Sequence, residues 1–155
     1  MDLRFDAVSP SDADTLLRFA QAFHGEDGHP LDAAGERAVM QIAAGEPLAR
    51  AWIVRHAHAA IGYLVLTVGY SIEYGGRDGF IDDLYLIPGA RGRGLGRKLL
   101  DFALARAGDL GIRTLHLEVE IGNEGATRMY RSAGFEATGR TLMRLPLKTK
   151  DRMTT

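Results

Sequence analysis

No cysteine occurs anywhere in the chain. Disulfides, thiol nucleophiles and thiolate metal sites therefore lie outside its chemistry. Apolar runs are short as well: none approaches the roughly 20 residues that a membrane-spanning helix requires. Met1-Asp2-Leu3-Arg4 lacks the basic and apolar regions of a signal peptide. A cytoplasmic protein with no membrane partner is the expectation. Excess charge of either sign is missing too, the formal net charge being -1. Binding along a nucleic acid needs a basic track, so no nucleic-acid partner is expected. Internal repeats, low-complexity tracts and linkers are also lacking. What is there, 155 residues of which 46% are hydrophobic and 25% charged, suffices for one well-formed core and not for two ordinary domains. We expect one domain over residues 1–147 and a polar tail over 148–155.

The positive charge that the chain does carry is concentrated at one place. Arg91-Gly92-Arg93-Gly94-Leu95-Gly96, followed by Arg97 and Lys98, separates a strand-like run from a helix-like one. Glycines at alternate positions permit φ > 0 and bring backbone N–H donors close to an anion, and the next helix adds the positive end of its dipole. Such a loop suits a pyrophosphate. Two other glycine loops are excluded by register. In G-x-G-x-x-G, counting from Gly92 puts Arg97 at the last position, and counting from Gly94 puts Leu99 there. A triphosphate loop needs Gly-Lys and then Ser or Thr, whereas Gly96 is followed by Arg97, Lys98 and Leu99. The pattern that fits is R-x-x-G-x-G after Pro88-Gly89.

Periodicity supplies the elements. Leu3 to Val8 reads as a strand, and Ser9-Pro10-Ser11-Asp12 as an N-cap with proline at the first helical position. Leu16, Phe19, Ala20 and Phe23 then mark the buried stripe of a helix ending near His24-Gly25. A second helix is expected over Asp32 to Ala44. Ala51 to Arg55, Ala60 to Val68 and Phe80 to Ile87 read as strands of a meander. Leu95, Leu99, Phe102 and Ala103 mark a third helix, and Leu115, Leu117, Val119 and Ile121 alternate as a further strand. A last helix after Asn123 and a last strand from Phe135 to about Leu147 complete the chain. The order β-α-α-β-β-β-α-β-α-β predicts a mixed α/β domain.

A second motif follows the first at compatible spacing. Leu117-Glu118-Val119 precedes Asn123, Ala126, Tyr130, Gly134 and Phe135, which spell N-x-x-A-x-x-x-Y-x-x-x-G-F. In physical terms this is a capped helix, with Asn123 as N-cap and Gly134 at C′. Together the two motifs resemble the GNAT superfamily of acetyl-CoA-dependent N-acetyltransferases. That resemblance implies a central, mostly antiparallel sheet splayed between its fourth and fifth strands and flanked by helices. It implies acetyl-CoA as co-substrate, its pyrophosphate on Arg91, Gly92, Arg93, Gly94, Leu95, Gly96 and Arg97. The pantetheine arm would bond the main chain of Leu84, Tyr85 and Leu86, with Asn123, Ala126 and Tyr130 completing the cofactor side. Homodimers are common in such a family.

The reaction so implied needs a proton acceptor for the incoming ammonium and a donor for the departing sulfur. Asp82 and Asp83 are the candidate bases, since a carboxylate in an apolar strand has its pKa raised toward usefulness. Strict alternation would send these neighbours to opposite faces, Asp82 with Leu84 and Leu86 and Asp83 with Tyr85. The segment Ile81 to Leu86 also resembles the diamine and polyamine acetyltransferases, in which paired acids meet the amine. Tyr130 holds the motif position of the family's general acid, and a phenol of pKa about 10 can protonate a thiolate. Glu118 and Glu120 are reserve bases on a solvated face. Glu26, Asp27, Glu73, Tyr74 and Asp78 are candidates for an acidic and aromatic entrance that would receive a small-molecule amine, polyamine-like or amino-acid-like. The alternatives are an aminoglycoside, a protein N-terminus, or an acyl-CoA sensor without turnover. His56 and His58 lie in a hairpin turn with no third ligand nearby, so no metal is expected.

Overall fold

A computed structural model describes residues 2–149. They fall into two compact units, one ending at Ile121 and one beginning at Gly122. The last six positions of the expected polar tail lie outside the described residues.

In the first unit the elements run β1 (Leu3–Ala7), α1 (Ala13–Glu26), α2 (Ala33–Ala44), β2 (Ala49–His56), β3 (Ala59–Ser71), β4 (Gly76–Leu86), α3 (Leu95–Asp109) and β5 (Thr114–His116). One sheet holds all the strands in the order β1-β2-β3-β4-β5. Pairing is antiparallel from β1 to β4 and parallel between β4 and β5. The mixed α/β architecture expected from the element order is therefore present, with α3 as the crossover that parallel pairing requires.

Local chemistry explains the helices. The Ser9 N–H donates to Asp12 Oδ2 at 3.0 Å, opening a short 3-10 turn that feeds into α1. Asp12 also receives Arg55, whose other nitrogen meets Asp6 at 2.6 Å, so this turn is stitched to β1 and β2. α2 starts where Asp32 accepts the Gly35 N–H at 2.8 Å and stops at Gly45, whose φ of +108° suits only glycine. α1 turns Leu16, Phe19 and Ala20 inward against Ile53, Tyr63, Val65 and Tyr85. α3 covers the other core with Leu95 and Leu99 against Val54, Ile61 and Leu86. Each fully buried Leu, Ile, Val or Phe among them contributes about 1.5–3 kcal/mol. The β2–β3 hairpin turns at Ala57, which takes a left-handed φ of +54°.

Two strand expectations need correction. The strand expected through Ile121 spans only Thr114–His116, and its ladder with β4 ends at Phe80↔His116. Beyond that point β4 carries an extra residue opposite β3, a bulge that locally disrupts the ladder before pairing with β3 resumes through Gly62↔Leu86. The last strand, from Phe135 to Leu147, is absent from the described residues. Its apolar alternation is real, but Leu142, Met143, Leu145 and Leu147 are exposed. Alternation decides which side chains share a face; it cannot supply the neighbouring strand whose hydrogen bonds make a ladder.

The second unit is built around α4 (Glu124–Ser132). Asn123 caps it by accepting the Ala126 N–H at 3.2 Å. At the other end Gly134 has φ +104°, its N–H reaches the Arg131 carbonyl at 3.0 Å, and the Phe135 N–H reaches the Tyr130 carbonyl at 3.1 Å. This is a Schellman closure, and the Tyr130 and Phe135 rings supply its apolar contact at 5.9 Å. Among the described residues no helix is long and apolar enough to cross a membrane.

Candidate active site

The paired acids owe their arrangement to the bulge in β4. Asp83 is registered with Val65 and Ile81 with Leu66, which leaves Asp82 as the extra residue between them. Strict alternation is broken there. Instead of diverging to opposite faces, Asp82 and Asp83 line one cleft together with His24 and Tyr63. Asp83 faces α1, as its ladder partner Val65 does, while Leu84 and Leu86 pack toward α3.

Asp83 is the buried member, its side chain only 8% exposed. Its Oδ2 accepts the Tyr63 hydroxyl at 2.7 Å and meets His24 Nε2 at 2.9 Å. Its Oδ1 is buried with no donor among the described residues. Burial, and then the Asp83 charge, push the Tyr63 phenol far up, so it stays protonated and serves as a fixed donor. The hydrogen bond to Asp83 raises His24 against the opposing effect of burial, and the charges of Asp83, Asp82 and Asp27 add to the rise. Asp82 keeps an exposed surface. Surrounding protein and the Asp83 and Glu118 charges nevertheless raise its pKa, with His24 opposing. Such a carboxylate is a better proton acceptor than a fully solvated one.

An aromatic group fixes these partners. Phe23 meets Tyr63 at 6.3 Å, Tyr85 at 5.9 Å and the His24 ring at 5.1 Å, and Tyr63 meets Tyr85 at 5.9 Å. His24 and Tyr63 were not among the residues expected from sequence. Their signals were present: His24 extends the apolar stripe of α1, and a tyrosine amid the apolar run of β3 needs a partner for its hydroxyl.

The glycine loop lies between β4 and α3. Gly92 and Gly94 have φ of +77° and +74°, and Gly94 is the N-cap of α3 without a side-chain cap. A Cβ at either glycine would project into open space, away from every other protein atom within 4 Å. The Arg93 guanidinium is exposed and has no protein partner among the described residues. Free helix-terminal N–H groups, φ > 0 at glycine and a cation fit a pyrophosphate. Leu95 points the other way, into the core. Arg97 pairs with Asp101 at 2.9 Å on the surface of α3.

Arg91 is a tie. Its Nε donates to the Leu86 carbonyl at 2.9 Å, its NH2 group meets Glu26 at 2.7 Å, and the guanidinium lies 5.6 Å from the centre of the Tyr85 ring. It joins the end of α1 to the end of β4. On the side facing β5, Ile81 to Leu86 have no strand partner among the described residues, the ladder ending at Phe80↔His116.

The other expected residues do not converge on the acids. Glu26 is engaged by Arg91, and Asp27 closes the end of α1 near His24. Glu73 and Tyr74 lie in the β3–β4 turn beside a separate open cleft of about 560 Å³ with Arg113. Asp78 faces His116 at 3.4 Å. Glu120 faces His29 at 3.5 Å, both exposed. His56 Nδ1 meets the Asp2 carbonyl at 3.2 Å, and no three metal-capable side chains gather among the described residues. In the second unit Asn123 and Ala126 form the cap of α4, and the capping closure sets the position of Tyr130.

Comparison with known proteins bears on the fold and the family. An integron cassette protein from the mobile metagenome of Cole Harbour Salt Marsh superposes with a TM-score of 0.77 at 34% identity, over 94% of this chain and 91% of that one. An aminoglycoside N-acetyltransferase crystallised with CoA superposes with a TM-score of 0.76 at 17% identity, over 94% of this chain and 95% of that one, a likeness of fold. An uncharacterized N-acetyltransferase of Mycobacterium tuberculosis is 35% identical over 91 residues, 59% of this chain and 55% of the relative. The chain thus spans about half the length of the curated relatives it matches. Residues 15–135 match one family along most of the sequence, and the chain belongs to it: the acetyltransferase (GNAT) family.

Proposed function

We propose that the protein transfers an acetyl group from acetyl-CoA to the primary amine of a small molecule by direct attack within a ternary complex. The observation that carries this reading is the course of β4: its bulge presents Asp82 and Asp83 to one cleft, and its end leads into the glycine loop at α3. Gly92, Arg93, Gly94 and the first N–H groups of α3 would hold the pyrophosphate, and the main chain of Leu84 to Leu86 the pantetheine arm. Bound acetyl-CoA supplies a thioester carbonyl at which the C–N bond forms as the C–S bond breaks, releasing the CoA thiol and one proton overall.

The chain's own residues supply the proton handling. Asp82, with its raised pKa, takes the proton that the ammonium must lose before its lone pair is available. Asp83, held by Tyr63 and His24, keeps its position and orients the nitrogen. Tyr130 is assigned as the acid for the departing sulfur from its motif position. The compact cleft, about 180 Å³, favours a small acceptor over a peptide or an aminoglycoside.

The test is thiol release from acetyl-CoA by the purified protein with a panel of polyamines, amino acids, simple monoamines, aminoglycosides and peptides, alongside Tyr130→Phe. Turnover on small amines that collapses in the variant is expected. Undiminished turnover in Tyr130→Phe would remove the acid assignment. Thermal stabilisation by acetyl-CoA without turnover on any amine would favour a sensor, and the absence of both turnover and stabilisation would overturn the reading of the glycine loop.

A further inference from the structure

The cleft above Asp83 has a chemical character that narrows the acceptor. Its walls are apolar: Leu16, Leu31, Val39 and Ile42 from α1, α2 and the loop between them, with Val65 from β3. Its polar groups are gathered at one end, where Asp82, Asp83, His24 and Tyr63 meet. There Asp83 Oδ1 is buried without a donor, on a side chain more than nine-tenths buried. A buried carboxylate oxygen left unpaired is costly, and native structures rarely tolerate one unless something else supplies the donor. With a second carboxylate beside it, the donor that fits best is cationic.

We propose that this cleft seats a primary ammonium compound with a compact apolar body, its N–H donating to Asp83 Oδ1 beside Asp82 and its body packing on Leu16, Leu31, Val39 and Ile42. This rests on the acetyl-transfer reading and specifies its acceptor. The size is set by volume: an apolar cavity of about 150 Å³ admits benzene, and this one measures about 180 Å³. A branched alkyl or single-ring amine fits. A linear polyamine does not, because its second ammonium would enter the apolar end with no partner, and an unpaired charge there is strongly disfavoured. Glu73 and Asp78, two acids of the expected entrance, lie elsewhere on the molecule.

The test compares benzylamine and isopentylamine with putrescine and spermidine in two assays on the full chain: calorimetric binding without acetyl-CoA, and thiol release with it. The monoamines are expected to bind at least roughly tenfold more tightly than the polyamines, a difference of about 1.4 kcal/mol. Ala38 lines the cleft on the exposed side of α2, so Ala38→Leu narrows the entrance with little risk to folding. It should weaken benzylamine roughly tenfold. Asp83→Asn should abolish monoamine binding; where that variant fails to fold, Ala38→Leu still decides. Preference for polyamines, no binding of any monoamine, or benzylamine affinity unmoved by Ala38→Leu would each overturn the proposal. Monoamine binding without acetyl transfer would leave the cleft assignment standing and count against the acetyl-transfer reading. Turnover of polyamines alone would do the reverse.

Discussion

Tyr63 and Asp83 face each other across β3 and β4, the phenol oxygen 2.7 Å from Asp83 Oδ2. They are not ladder partners: Tyr63 is registered with Tyr85, and Asp83 with Val65. The bond is diagonal, between side chains on one face of the sheet. It gives a carboxylate in the apolar core a donor that cannot ionise at any ordinary pH. In the proposed reaction Tyr63 is thereby a positioning residue, holding the acid assigned to the amine.

Removing that hydroxyl should be felt in stability first. Tyr63→Phe leaves a buried carboxylate with one donor fewer, at an expected cost of about 1–3 kcal/mol. Urea denaturation would show it as a lower midpoint at unchanged slope, and a shift under a few tenths of a kcal/mol would mean that His24 alone satisfies Asp83.

His24 gives the fold a dependence on pH with a definite sign. Its pKa rises above 6.5 on folding, chiefly through the bond to Asp83, with Asp82 and Asp27 adding and Tyr63 facing it as a neutral phenol. The resulting stability is fully present below the unfolded value and is lost as pH rises through the folded one. Wild-type protein should therefore lose more stability between about pH 6 and about pH 9 than His24→Gln does, by urea denaturation. Equal slopes would show that His24 does not gain its proton on folding.

The glycine loop can be probed apart from the core. Gly94→Ala places a side chain at φ +74° with no protein atom in its way. The fold should lose about 1–2 kcal/mol from backbone strain alone. Affinity for CoA, measured by calorimetry on the folded variant, should fall further, because the added methyl occupies the space above the loop. Unchanged CoA affinity would place the pyrophosphate elsewhere.

Ala57 offers a gain. At φ +54° in the β2–β3 turn it pays a penalty that glycine avoids. Ala57→Gly should raise stability by about 0.5–1 kcal/mol, the strain relieved exceeding the extra chain entropy of glycine. Thermal denaturation checks this, and a lower melting temperature would contradict it.

What could be read from sequence was local. The cap at Asn123, the glycine stop at Gly134 and the glycine run between β4 and α3 each depend on residues a few positions apart, and each was found where expected. What could not be read was the pairing of distant segments. His24 meets Asp83 across 59 positions and Tyr63 meets it across 20, so no periodicity joins them. The bulge was hidden for the same reason: an extra residue in β4 exists only relative to the count in β3. Parity arguments on one strand assumed an unbroken ladder and therefore parted two acids that the fold brings together. The strand expected over Phe135 to Leu147 failed on the complementary point, since an alternating segment is a strand only where it has a neighbour.

The bulge also divides the burden between the two acids in a way that bears on how the site can change. Asp82, as the unpaired residue of the bulge, has little duty in the ladder and an exposed side chain, so that position is open to substitution at slight cost to the fold. Asp83 is bound into the core by Tyr63 and His24 and has no such freedom. In the proposed reaction, position 82 is thus where acceptor preference and proton affinity would drift or be engineered one mutation at a time, while position 83 keeps the cleft in being.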